Sequence, residues 1–212
     1  MPRPGVPDAY RLRAKAQGFV SRAVFKLKAI DAKHRLFREG QRVLDLGCSP
    51  GSWLQYLGAQ VGPQGLVVGV DQQPPAIEVT PPLYFVPGDI SSLDFGALRS
   101  ISPYFDAVVS DMAPRTTGIR EVDQERSLEL ARQALACAQE LLKPGGNFLV
   151  KIFVGPETES FVSHMREIFI HVHRLKPAGS RPASPEIYLL GLQKRTGPGQ
   201  GKRRRPPGHR EP

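Results

Sequence analysis

The chain has 212 residues, 40% of them hydrophobic and 23% charged, which is enough apolar material for one cored domain and excludes wholesale disorder. Lysine and arginine number 29 against 20 acidic residues, a formal charge of +9 that favours a polyanionic partner, because each phosphate neutralised releases counterions. Two distant cysteines, Cys48 and Cys137, exclude a disulfide framework or a zinc site, and no apolar run reaches the ~20 residues that span a bilayer.

The first residues, Met1-Pro2-Arg3-Pro4-Gly5, have no hydrophobic segment of a secretory signal behind them, so cytoplasm is the expected location. Residues 1–19 read as a flexible basic arm. With Ser21 as N-cap, Val20, Ala23, Val24, Leu27 and Ile30 recur at helical spacing, leaving Lys26 and Lys28 off the apolar stripe. Short apolar runs bounded by glycine, proline or aspartate predict strands at Arg42–Leu46, Leu66–Val70, Leu83–Val86, Asp106–Ser110, Asn147–Phe153, Phe169–Arg174 and Ile187–Leu192. The clearest helix runs from about Glu121 to Leu142 and stops at Lys143-Pro144-Gly145-Gly146.

Strands alternating with helices imply an α/β domain over residues 20–194, with a largely parallel seven-stranded sheet covered on both faces. The last two strands are too close in sequence for a helical crossover and are expected as an antiparallel pair at the sheet edge. Residues 195–212, with Lys202-Arg203-Arg204-Arg205, read as a disordered basic tail and a loose RNA tether. His171 and His173 share one strand face, but no third ligand is in view and no metal is expected.

Val43-Leu44-Asp45-Leu46-Gly47-Cys48-Ser49-Pro50-Gly51-Ser52-Trp53 reads as a buried strand running through a glycine turn into a helix. The G-x-x-x-G spacing differs from the G-x-G-x-x-G that cradles a pyrophosphate, which suits a ligand without one and disfavours a nicotinamide-dependent oxidoreductase. Asp71 closes the second strand, where a carboxylate accepts from ribose hydroxyls, and Asp89 follows the third, within reach of an exocyclic adenine amine. With Gly47 and Gly51 they outline an adenosine pocket.

Five stretches carry a resemblance. Ser21-Arg22-Ala23-Val24-Phe25-Lys26-Leu27, the Asp45–Trp53 turn, Val109-Ser110-Asp111-Met112-Ala113-Pro114, Val150-Lys151-Ile152-Phe153 and Ser184-Pro185-Glu186-Ile187-Tyr188 are similar to the FtsJ/RrmJ ribosomal RNA methyltransferases, in order and across most of the chain. The resemblance implies a Rossmann-like fold and S-adenosylmethionine as cofactor, bound by Gly47, Gly51, Trp53, Asp71, Asp89 and Asp111. It implies a catalytic tetrad of Lys26, Asp111, Lys151 and Glu186, and methylation of a uridine ribose 2′-hydroxyl in large-subunit (23S) ribosomal RNA. The chain departs from the family pattern at Cys48, at Ser52 and in the proline-rich Lys176–Pro182 stretch.

The chemistry supports that tetrad independently. A ribose hydroxyl is a poor nucleophile at neutral pH, so a base must take its proton and a cation must stabilise the growing oxyanion. A desolvated lysine beside another cation releases its own proton more readily. Lys151 is therefore the expected base for in-line methyl transfer and Lys26 the assisting cation, with Asp111 and Glu186 fixing both. Tyr10, Arg11, Arg13, Lys15 and Arg22 suit phosphate contact and base stacking, with Arg115 and Arg120 as further contacts. The substrate expected is ribosomal RNA within the large subunit, and the chain is expected to act as a monomer. Transfer RNA or another RNA, or a non-catalytic role in ribosome assembly, are the competing readings.

Overall fold

Seven apolar runs become strands: β1 (Arg42–Leu46), β2 (Leu66–Asp71), β3 (Leu83–Pro87), β4 (Phe105–Ser110), β5 (Leu142–Phe153), β6 (Phe169–Leu175) and β7 (Glu186–Lys194). Helices α1 (Ala9–Ala16) and α2 (Val24–His34) precede them, and α3 (Ser52–Val61), α4 (Phe95–Ile101), α5 (Arg120–Leu141) and α6 (Thr158–Ile168) lie between them. The computed structural model describes residues 9–177 and 184–196; most of the expected basic tail and of the proline-rich stretch before Glu186 lie outside them.

The sheet order is β3-β2-β1-β4-β5-β7-β6. The chain leaves β1 in one direction for β2 and β3, then crosses to the other side for β4, and all these neighbours pair in parallel. Connections that diverge on either side of β1 open a crevice at the carboxyl ends of β1 and β4, the usual ligand position in such sheets. The expected antiparallel pair is present at the edge. β7 runs antiparallel to β6 and also to β5, so the reversed strand sits one place in and β6 is outermost. Its direction carries the start of β7 to the crevice end of the sheet, with Glu186 opposite Phe153 and Tyr188 opposite Lys151.

Alternation along the strands feeds two cores. Leu44, Leu46, Val108 and Phe148 pack with α4, α5 and α6, while Val43, Val67, Val109 and Leu149 pack with α1, α2 and α3. Leu44 is fully buried, and cutting it to alanine would cost about 2–5 kcal/mol. By the same period of two, Asp45 falls on the α2–α3 face beside Val43.

Three local expectations are corrected. The arm expected as flexible contains α1, whose Ala14 is buried and whose Tyr10 ring lies 5.9 Å from that of Phe25; an apolar contact on α2 orders it. Helix α2 starts at Val24 without a side-chain cap, because the Ser21 hydroxyl accepts from the Ala23 N–H at 3.1 Å and forms a turn ahead of the helix. Strand β5 begins at Leu142, opposite Phe105, then bulges before pairing resumes at Asn147, with Lys143 ion-paired to Asp106 across the bulge. Among the described residues, no helix is long and apolar enough to cross a membrane.

Candidate active site

The crevice holds a cleft of about 550 Å³, a size suited to a nucleoside-bearing ligand. Its floor is the turn after β1. Gly47 has φ +79°, and a Cβ there would lie 2.4 Å from Met112 Cγ, so the turn passes under the residue after Asp111 only because position 47 has no side chain. The N–H groups of Gly47 and Cys48 donate to the Val70 carbonyl at 2.8 and 3.2 Å. The Ser49 N–H donates to Asp71 Oδ2 at 3.0 Å, while Asp71 Oδ1 accepts from the Gln73 N–H at 2.9 Å. Asp71 thus ties the turn to the end of β2 and still lines the cleft.

Asp89 and Asp111 line the cleft as well, as do Gly47, Met112 and Arg115. Asp89 caps the turn at Ile90–Ser92 by accepting from the Ser91 N–H and hydroxyl, and these donors hold its carboxyl below the usual range. Gln72 Nε2 donates to its other oxygen at 2.5 Å. Arg115, expected as an RNA contact, sits on the cleft wall itself. The loop that carries it is held by Asp123, which accepts from the Thr117 N–H and hydroxyl and from the Gly118 N–H.

Gly51 and Trp53 do not line this cleft. Gly51, at φ +112°, is packed under Ile77 and Pro75, whose carbons would meet an added Cβ at 3.0–3.2 Å. Trp53 is 3% exposed, and its indole N–H donates to the Ala23 carbonyl at 3.1 Å, one residue before α2 begins. Its contribution is to clamp α3 to the start of α2, and so to set where Lys26 projects.

The four tetrad residues form two ion pairs at one end of the sheet. Lys151, 7% exposed, lies 2.9 Å from Asp111 Oδ1 and also donates to the Asp111 main-chain carbonyl. Lys26 lies 2.5 Å from Glu186 Oε1, with both side chains mostly buried. Tyr188, which sequence reasoning quoted without a role, joins the pairs. It is fully buried, its hydroxyl donates to Asp111 Oδ1 at 2.5 Å, its ring stacks on Trp53 at 6.1 Å, and the Lys26 ammonium stands 5.9 Å from its ring centre. Burial, reinforced by the Asp111 and Glu186 charges, pushes the Tyr188 phenol well above its ordinary value, so it remains a donor. The signal was available: Tyr188 is two residues from Glu186 on a strand and must share its face.

A further carboxyl group lies beneath. Asp45 is fully buried, and among the described residues neither oxygen has a hydrogen-bond partner. Burial first, then the nearby charges of Asp111 and Asp71, push its carboxyl well above the usual range. The cleft of this basic protein is therefore acidic, a setting for a cationic ligand. His34 at the end of α2 approaches His173 on β6 at 5.5 Å between ring centres, and His173 lies 6.5 Å from His171; among the described residues no group of metal-ligating side chains could hold an ion.

Known proteins resemble this chain in sequence and in fold. The model of the FtsJ-like methyltransferase family matches residues 19–194. The ribosomal RNA large subunit methyltransferase E of Sorangium cellulosum is 44% identical over 89% of this chain and 89% of its own. That of Desulfatibacillum aliphaticivorans is 43% identical over 90% and 92%. Among solved structures, a Plasmodium falciparum chain described as a ribosomal RNA methyltransferase superposes with a TM-score of 0.73 at 26% identity, over 83% of this chain and 98% of that one.

Proposed function

The chain belongs to the FtsJ-like methyltransferase family, and from that premise we propose that it methylates the ribose 2′-hydroxyl of a uridine in large-subunit ribosomal RNA. The observation that carries the reading is the buried Lys151–Asp111 pair standing beside a cleft lined by Asp71, Asp89 and Asp111.

S-adenosylmethionine fits that cleft. The acidic lining suits its positive charge, and the bare backbone at Gly47 lets a ligand lie against the turn. Asp71 would hold the ribose, Asp89 the adenine amine and Asp111 the methionine end. When bound, the cofactor supplies an activated methyl group on its sulfonium.

Every other part of the reaction falls to the chain. Lys151, which must enter the step as the neutral amine, takes the hydroxyl proton as the ribose oxygen attacks and becomes the ammonium that Asp111 holds in place. Lys26, held by Glu186, stabilises the charge growing on that oxygen. Tyr188 donates to the same Asp111 oxygen that Lys151 contacts, and its buried ring covers the pair. The positive arm brings RNA to this point: α1 carries Arg11, Arg13 and Lys15, and Arg13 is braced 5.0 Å from the Phe25 ring. The protein acts as a cytoplasmic monomer on RNA in the large ribosomal subunit.

Labelled S-adenosylmethionine and undermethylated large subunits test the reading, beside Lys151→Ala. Methyl incorporation at one ribose, lost in the variant, supports it. Cofactor binding without incorporation refutes the ribosomal target, and incorporation into transfer RNA instead would replace it.

A further inference from the structure

Asp45 has no task in the mechanism above. It sits in β1 between Gly69 and Val109, fully buried, with no hydrogen-bond partner on either oxygen among the described residues. An unpaired carboxylate in such a place neutralises itself by keeping its proton.

The surrounding groups reinforce this. Asp71 ends β2 and Asp111 follows β4, and both oppose a further negative charge. Cys48, in the turn above, has its thiol pushed up chiefly by burial, so it brings no charge to the site. Lys151 on β5 is committed to Asp111. On the same side of the sheet, α2 supplies Lys26, bound to Glu186 of β7, and Asp31, which accepts from the Leu36 and Phe37 N–H groups and the Tyr56 hydroxyl of α3. Tyr188 of β7 donates to Asp111. None of these gives Asp45 a positive partner.

The cleft floor is Gly47, two residues on from Asp45. A methyl donor seated there brings a net positive charge, since its ammonium and carboxylate cancel and the sulfonium remains. The demethylated product has the same zwitterionic tail and no sulfonium. We propose that Asp45 is a charge-sensing residue: it releases its proton to solvent when S-adenosylmethionine occupies the cleft, and regains one when S-adenosylhomocysteine is left. In the transfer itself the sulfur keeps the electron pair of the broken S–CH₃ bond, becoming a neutral thioether, and the field that ionised Asp45 disappears. Asp45 thereby favours methyl donor over product, and more so as pH rises. The inference rests on the methyl-donor reading of the cleft.

The test is calorimetric titration of the whole chain with S-adenosylmethionine and, separately, S-adenosylhomocysteine, in buffers of different ionisation enthalpy. Near pH 7 the native chain should release up to about one proton per methyl donor and essentially none per product. The donor-to-product affinity ratio should rise up to about tenfold per pH unit. Asp45→Asn, of the same size and unable to ionise, should abolish both effects. Equal release with the two ligands, no release with the donor, or undiminished release in Asp45→Asn would each overturn the inference. If the variant does not fold, the two-ligand comparison on the native chain decides alone. Binding of the donor without proton release leaves the cofactor reading standing, whereas no binding of either ligand overturns both.

Discussion

Tyr188→Phe removes one oxygen and leaves the ring, so its stacking on Trp53 and the approach of Lys26 to its face are retained. What disappears is a buried hydroxyl donating to the Asp111 carboxylate at 2.5 Å. Hydrogen bonds to charged groups are worth about 1.5–3 kcal/mol, so the variant should lose stability on that scale. For a domain of this size, that is roughly 3–12 °C in Tm. If the bond counts fully in the transition state, kcat falls about ten- to a hundredfold, with cofactor affinity less affected. Single-turnover methylation and cofactor titration, with a thermal melt beside them, measure these losses. A variant with lowered Tm but unchanged kcat would show that Tyr188 only packs, and would refute its role in holding Asp111.

Gly47→Ala should abolish measurable cofactor binding by calorimetry, because the position needs φ +79° and an added Cβ would meet Met112 at 2.4 Å; Gly47→Ala with Met112→Ala should recover little, since the backbone strain persists. Lys26→Met and Glu186→Gln should each cost about 1–3 kcal/mol in denaturant melts, and the double variant less than their sum, since each single change strands one charge in a site with little water. For Asp45→Asn the stability sign follows from a carboxyl raised in the fold: the unfolded chain sheds its proton first, so the native protein loses stability as pH rises through the ordinary aspartate range toward the raised value. The variant lacks that slope, and its Tm advantage over the native chain, without cofactor, should grow as pH rises above about 4.

Much of this was legible because strands advertise themselves. Arg42–Leu46 is bounded on both sides by turn residues, and its observed limits match the expected ones. Lys26, Asp111, Lys151 and Glu186 could be named because each follows a short, characteristic motif, and the fold brings all four together. The remainder depended on contacts between distant residues. Trp53 and Gly51 stand in the cofactor motif, yet their side-chain surroundings are α2 and the Pro75–Ile77 segment, which strand periodicity does not reveal. Helix α1 is polar by composition and exists through its contact with Phe25. Asp45 read as one letter of a glycine-turn motif; only full burial without a partner distinguishes it from an ordinary strand-end acid.

The reversed strand β7 also has a consequence in time. Translation delivers Gly47, Asp71, Asp89 and Asp111 long before Glu186 and Tyr188, and the bond between Lys26 and Glu186 closes a span of 160 residues. A nascent chain can assemble the cofactor turn while Lys26 still lacks Glu186 and Asp111 still lacks the Tyr188 donor. Chemical competence therefore arrives last, when the final strand slides between β5 and β6 and draws the two ends of the polypeptide into one site.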